Sequence, residues 1–488
     1  MFTHSVAYMN SLLTTAVCSL PNTHTQIRRW LLVTIVLSVV GKLALGFLLM
    51  IVHSESVFES SDSLEYHQLA SNLLQHGTFS RGTEPPYEPE LLRTPGYPLL
   101  LAGIYGIFGI RPAMVICVQL ALTVATILAA FQIAARLFDE RVALLAAMLL
   151  AVDPVSIYYS QVLLTETFFT TVFTVSLLLL LRTLTQPTRW LWPVGAGIGF
   201  ALATYIRPTT YYLGGLLPII VFFMICPTHG WRRAAKPVLV FFLLYAVLIG
   251  GWHVHTYRET GSMEFSQIKN QYLFIAKAAA IVANRDSVPL DEAQRRLSNE
   301  HFSSLPIDLR GASPVQMFES QGKYAIRVIL DHPILFLWTS FRGVFASLLG
   351  PSNMAHLFGF NNVALRDAFI KGVLSGFSIS AWAITISSWI YAIIFLLILY
   401  SGVILFATQV RPLDRGTVLL IFTILYILVS SSGPEAYSRF RAPIMPALCV
   451  LSAAGFFHSL RMIRPSNLTA WPEIQLSPAT LNKSTEST

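Results

Sequence analysis

Apolar runs of about 20 residues recur along most of this chain, and a run of that length matches the hydrocarbon core of a bilayer. That one feature decides the solvent, because a chain whose charged residues make up 12% of its length, against 54% hydrophobic, cannot cover a water-facing surface; a soluble domain carries about twice as much charge. Runs bounded by charge, Pro or Gly place spans near 30–52, 112–136, 141–157, 167–182, 190–206, 210–226, 237–256, 381–407, 416–432 and 443–461. The fold class expected is an all-α polytopic membrane protein with about 10–12 transmembrane helices.

The formal net charge of +8 would suggest a nucleic-acid partner in a soluble protein. Here the basic residues fall in short clusters between apolar runs, at Arg28/Arg29, Arg136/Arg141, Arg182/Arg189, Arg232/Arg233/Lys236, Arg411/Arg415 and Arg461/Arg464. The clusters occupy every second gap, so the positive-inside rule makes those gaps cytoplasmic and excludes nucleic acid as the explanation of the charge. The external side then receives 53–111, 158–166, 207–209, 257–380 and 433–442.

Parity requires the further run 333–350 to dip into the interface or to be completed by 362–379, which carries Arg366, Asp367 and Lys371 and reads as an amphipathic surface helix. The organisation expected is a cytoplasmic segment 1–29, a transmembrane module 30–256 that includes the loop 53–111, an external region 257–380, a second helical block 381–464 and a disordered cytoplasmic tail 465–488. Met1 to Gln26 is polar and the first apolar run is too long for a signal sequence, so that run stays as the first span. Cys18, Cys117, Cys226 and Cys449 lie far apart, without metal or redox spacing. The sequons at Asn467 and Asn482 fall on the cytoplasmic side. A helix is expected around Leu290 to Phe302, with Leu290, Ala293, Leu297 and Phe302 on one face. A membrane protein that keeps its polar mass on one side does its chemistry there.

Several residues on that side stand out. In S-D-S-L-E-Y-H-Q-L-A-S-N-L-L, Ser61 or Asp62 caps a helix with Leu64, Leu69, Leu73 and Leu74 on its apolar face. Asp62 is therefore either a cap or, if partial burial raises its pKa, a base. Tyr66 and His67 follow on the same helix as candidate contacts for acceptor or sugar, and His67 has no ligand set around it that would make a metal site. In L-L-R-T-P-G-Y-P, the stiff backbone holds Arg93 at a fixed height, to snorkel toward headgroups or to bind an anion. Glu166, in L-T-E-T at a span boundary with Thr165 as possible cap, either offsets a helix dipole or has a partner and a task. Arg207 in Y-I-R-P and Arg439 and Arg441 in R-F-R-A-P-I-M-P are cations at membrane ends where cations are depleted, which asks for an anion: a headgroup or a polyprenyl phosphate. Lys42, inside the first span, is expected to face the bundle.

Taken in order, the loop Asp with Tyr four residues on, R-T-P-G-Y-P, L-T-E-T, Y-I-R-P and R-F-R-A-P-I-M-P resemble the polyprenyl-phosphate-dependent membrane glycosyltransferases of the protein mannosyltransferase and aminoarabinose transferase type, glycosyltransferase family 39-like. The likeness covers Asp62 to Arg207 and 433–456 and is thin across 257–380. It implies a GT-C fold, a lipid-linked sugar donor, an inverting transfer and a lipid, glycan or protein acceptor. By the same likeness Asp62 and Glu166 are the catalytic acids, Asp62 as base, and Arg93, Arg207, Arg439 and Arg441 hold the donor phosphate. Ser63 stands where protein mannosyltransferases carry a Glu beside the loop Asp, so the chain is nearer the bacterial members, in an inner membrane with the site on the periplasmic face. Two arginines can neutralise one phosphate, so no metal and no cofactor is expected. The rivals are a transporter or flippase of lipid-linked sugars, whose repeated halves and broken mid-membrane segments are not seen here, and a polymer ligase or polymerase of the same broad fold.

Overall fold

The computed structural model describes residues 23–52, 58, 60–306, 311–350, 357, 379–433 and 436–463, and among them no β-strand occurs. Helix α1 (His24–Val52) leads to a pair outside the main spans, α2 (Ser61–His76) and α3 (Gly96–Phe108). The bundle continues through α4 (Pro112–Leu137), α5 (Glu140–Ala151), α6 (Pro154–Tyr159), α7 (Glu166–Thr185), α8 (Leu191–Ile206), α9 (Tyr211–His229) and α10 (Trp231–Thr260). A polar insertion follows. In it α11 (Ile268–Tyr272) runs through a π-helical stretch, Leu273–Ala278, into α12 (Ala279–Asp286), then α13 (Leu290–Ser304) and α14 (Pro314–Asp331). The chain closes with α15 (Pro333–Leu349), α16 (Ile379–Gln409), α17 (Arg415–Ser430), a 3-10 segment Ser438–Ile444 and α18 (Met445–Ile463).

Seven described helices are long and apolar enough to cross a bilayer: α1, α4, α7, α9, α10, α16 and α18. The other three expected spans are shorter. The run 141–157 is two helices, because Pro154 supplies no N–H to continue α5 and Asp153 caps a new start, accepting from Val155 N (3.2 Å) and Ser156 N (2.8 Å). α8 and α17 have 16 residues each. The run 333–350 is α15, which meets α14 at a bend of 102°. Positions 362–378 of the helix expected at 362–379, the tail, both sequons and Cys18 lie outside the described residues, and so do the first 22 positions of the segment 1–29.

Two kinds of surface hold the bundle in place. α1 turns Leu37, Phe47, Met50 and Ile51 outward, as a helix facing lipid does, and buries Lys42, whose Nζ donates to Ser156 Oγ at 3.2 Å. Inside, small residues let helices approach closely: Ala143, Ala146 and Ala147 of α5 and Ala453 and Ala454 of α18 are all buried in one core with α4, α7, α8 and α16. The segment 158–166, expected as an external loop, is buried throughout from Tyr158. Gln119 of α4 pins it, donating from Nε2 to the carbonyls of Ser160 (3.3 Å) and Val162 (2.9 Å). α13 forms where expected but with a rotated face: Ala293, Leu297 and His301 are inside, while Phe302 is 52% exposed and Leu290 38%. The three buried positions are four apart and follow one helical face more closely than the expected set does.

Candidate active site

Five segments bring their charges to one end of the bundle. α2 begins at the cap Ser60, whose Oγ accepts from Ser63 N at 3.3 Å. The cap thus lies one residue before Ser61 and two before Asp62, and the Asp62 carboxylate is left for other partners. One turn later Glu65 lies on the same face, and Arg93 bridges the two, donating from Nη2 to Asp62 Oδ1 at 2.5 Å and from Nε to Glu65 Oε2 at 2.8 Å. Arg93 also lies over the Tyr66 ring, 5.2 Å from its centroid. Gly96, three residues on, allows this segment to touch the end of α8: a Cβ at Gly96 would meet the Tyr205 carbonyl carbon at 2.5 Å. Thr94 Oγ1 adds a bond to the Ile206 carbonyl at 3.2 Å. Arg93 and Arg207 are therefore neighbours by backbone packing.

Arg207 ends α8, where Pro208 stops the helix. Its guanidinium packs between the Phe169 and Phe440 rings and donates from Nη1 to Glu166 Oε1 at 2.8 Å. Glu166 opens α7 and is fully buried; Thr165 precedes it without a side-chain cap. Arg439, on the 3-10 segment, completes the cluster. Its Nε donates to the same Glu166 oxygen, and its Nη1 donates to Asp62 Oδ2 at 2.7 Å. The result is one unbroken series of opposite charges, Arg207–Glu166–Arg439–Asp62–Arg93–Glu65, which no single segment of sequence contains.

Asp62, Arg93, Arg207 and Arg439 of this series line part of a cavity of about 270 Å³, together with Tyr66, Tyr211, Tyr212, Ser430, Ser431 and, from the insertion, Glu264, Lys269, Tyr272 and Lys277, while Glu166 and Glu65 pair with those arginines from outside the lining. Tyr211 and Tyr212 also head an apolar groove of about 570 Å³ between α9 and α10, walled by Leu216, Phe242 and Ile249. Charged cavity and apolar groove share a wall.

Burial pushes the Asp62 carboxyl up, but the Arg439 and Arg93 guanidiniums pull it down further, so it lies below its ordinary value. This corrects the expectation of a raised value: Asp62 is a carboxylate held by two cations. Two other candidates do not reach the cavity. His67 faces away, with Nδ1 2.9 Å from the Tyr105 hydroxyl, and burial lowers its pKa. Arg441 is fully buried, and its Nη1 donates to the carbonyls of Ser347 (3.1 Å), Leu348 (2.5 Å) and Gly350 (3.2 Å), so it closes the end of α15. Among the described residues no three or more His, Cys, Asp or Glu side chains stand together as a metal site. The residues that sequence reasoning missed are Glu65, Tyr211, Tyr212 and the insertion's contributions.

Residues 92–252 match the sequence profile of the family described as dolichyl-phosphate-mannose-protein mannosyltransferase. That stretch includes Arg93, Glu166 and Arg207, and it stops short of Asp62 on one side and Arg439 on the other. No curated protein sequence matches the chain. Among solved structures, the oligosaccharyltransferase of Archaeoglobus fulgidus in its apo form superposes with a TM-score of 0.51 at 14% identity, over 89% of this chain and 51% of that one. The same enzyme, AglB, with an inhibitory peptide and a dolichol-phosphate gives 0.50 at 14%, over 90% and 51%. ArnT from Cupriavidus metallidurans bound to undecaprenyl phosphate gives 0.39 at 13%, over 87% and 77%. The chain spans about half the length of the oligosaccharyltransferase, and identities this low speak of fold. The chain is an integral multi-pass membrane protein of the GT-C fold, and its residues 92–252 match the mannosyltransferase profile.

Proposed function

We propose that the chain is a glycosyltransferase that moves a sugar from a polyprenyl-phosphate donor to an acceptor, with inversion, on the external face of the membrane. The observation that carries this reading is that Arg207 and Arg439, converging on Glu166, line a cavity that shares its Tyr211–Tyr212 wall with an apolar groove. A polyprenyl phosphate has that same division, a long apolar chain ending in an anion. The description of the family matched over 92–252 supports a lipid-phosphate donor, and the alternating basic clusters support the external face.

On this reading the prenyl chain lies along α9 and α10 and its phosphate takes guanidinium N–H groups now occupied by carboxylates. Two arginines gripping one phosphate stabilise it as the leaving group in a site shielded from water, so the charge balance needs no metal. When Arg439 turns toward the phosphate, Asp62 loses a cation and becomes a stronger base. Asp62 then takes the acceptor hydroxyl proton as that oxygen bonds to the anomeric carbon. The anomeric carbon–oxygen bond breaks on the opposite face, its electron pair leaves with the phosphate, and the configuration inverts. Glu166 keeps Arg207 in line throughout.

The test is a purified-protein assay with radiolabelled undecaprenyl-phosphate sugar, scoring released lipid phosphate with and without candidate acceptors. Acceptor-dependent release that is lost in Arg439→Ala and retained with a chelator is the expected result. Movement of the intact sugar lipid across vesicles without cleavage would instead establish the transporter.

A further inference from the structure

The polar insertion closes one side of the cavity with a helix whose two faces differ. Along α11 and the π-helical stretch, Asn270, Phe274, Ala276 and Ala278 are buried. Phe274 and Ala278 pack with Ala293 and Leu297 of α13 and Ala325 of α14 in a small core of their own. Gly322 of α14 makes room for Asn270, since a Cβ there would come within 2.3 Å of the Asn270 side-chain oxygen. The helix is also stitched to the first loop beside Arg93: Gln267 N donates to the Leu91 carbonyl at 2.9 Å and Ser266 Oγ to the Leu92 carbonyl at 2.5 Å. Its seat is therefore rigid, and its other face, Lys269, Tyr272, Leu273 and Lys277, is aimed at the cavity.

The π-helical turn matters to that face. An α-helix advances about 100° per residue, which would leave Lys277 about 80° out of line with Lys269 eight positions earlier. The wider π turn advances less per residue and brings the two lysines back toward one line, and such turns are frequent at functional sites. Between them Tyr272, 38% exposed, lies in the field of Arg439, Asp62, Arg207 and Arg93 together. Lys269 rests on Glu264, at 2.8 and 2.9 Å, much as Arg207 rests on Glu166. Lys277 lies over the Phe336 ring, 5.8 Å from its centroid.

We propose that Lys269, Tyr272 and Lys277 form a second anion site, facing the arginines, that holds an anionic group of the reacting pair other than the phosphate at Arg207 and Arg439. The proposal rests on the arginines being the donor site. The chemistry recognised is a phosphate or carboxylate, with the amines supplying charge and the phenol a hydrogen bond. It has two sources: the second phosphate of a diphosphate-linked donor, or an acidic group on the acceptor.

Binding of undecaprenyl phosphate, undecaprenyl diphosphate and inorganic phosphate to the full-length protein in detergent separates them, using wild type, the double variant Lys269→Gln/Lys277→Gln and Tyr272→Phe. For a diphosphate donor, wild type binds the diphosphate at least about tenfold tighter than the monophosphate, and the double variant erases the difference. For an acidic acceptor, the two lipids bind alike, inorganic phosphate still binds protein saturated with undecaprenyl phosphate, and the double variant loses that second event. In either case Tyr272→Phe, which keeps the ring, weakens the affected ligand about two- to tenfold. Wild-type behaviour of the double variant toward all three ligands, at normal yield, would overturn the second site alone. A wild-type protein that binds neither lipid would instead overturn the donor-site reading, and this proposal with it.

Discussion

The two walls of the cavity come from different parts of the chain and are held in different ways. The wall built from the ends of α2, α7, α8, the segment before α3 and the 3-10 segment is a continuous run of ion pairs, in which Glu166 is fully buried and Arg207 and Arg439 are each 13% exposed. The wall built by the insertion carries its charges as separate and more open pairs, with Lys269 at 43% and Glu264 at 37%. In the first wall, removing one member strands others in a poorly solvated place, where the cost is high. In the second, water replaces a lost partner and the cost is small. One wall is fixed by its own buried ion pairs, and the other leaves its charges open to water.

The largest effect should come from breaking the first wall at its centre. Arg439→Ala leaves Glu166 and Asp62 each short of a cation and should cost about 3–5 kcal/mol, the range for an uncompensated buried charge, read as a lower Tm and a lost donor affinity. A loss below about 1 kcal/mol would mean that this run of ion pairs behaves like the exposed wall. Asp62→Asn should come next. Ser60 keeps the helix cap, but Arg93 and Arg439 are each left short of a carboxylate, so a lowered Tm is expected beside a turnover that falls about 10²-fold per folded molecule; near-normal turnover would take the base away from Asp62.

Arg441→Met sharpens the contrast within the 3-10 segment itself. It removes three bonds to the end of α15 and should lower stability by about 2 kcal/mol, with donor affinity unchanged; a raised donor KM would place Arg441 back at the site. The smallest effect is one of pH. Asp62 is held below its ordinary value by Arg439 and Arg93, so kcat/KM, which reports the free enzyme, should show no acid limb between neutrality and about pH 5. In the donor complex Arg439 has turned to the phosphate, so the acid limb of kcat should lie at higher pH than that of kcat/KM. Coincident limbs would show that the phosphate does not draw Arg439 from Asp62.

Much of the first wall was legible in the sequence because its members break rules that lipid enforces. Asp62, Glu166, Arg207 and Arg439 are charges at span ends where charge is costly, and each proves to have a partner. Which way a charge points was less legible. Arg439 and Arg441 look equivalent in R-F-R, but two positions in a 3-10 turn are about 240° apart, so one reaches the cavity and the other the end of α15. The cap is Ser60 and not Ser61 or Asp62, a shift of one or two residues that releases the Asp62 carboxylate. The insertion's wall was not legible, because its cavity face depends on a π turn that shifts the register, and no residue spacing announces one. The long-range spacing of the spans was read from hydropathy, but the break at Asp153-Pro154 divides one of them.

The central claim is that Arg207 and Arg439 hold the donor phosphate while Arg441 does not. Undecaprenyl phosphate affinity, measured for Arg207→Lys, Arg439→Lys and Arg441→Lys at matched yield, tests it most directly, because lysine keeps the charge and loses the fork. The account predicts that the first two weaken binding about tenfold or more and that the third leaves it unchanged. Wild-type affinity in the first two, or equal weakening in all three, would contradict it.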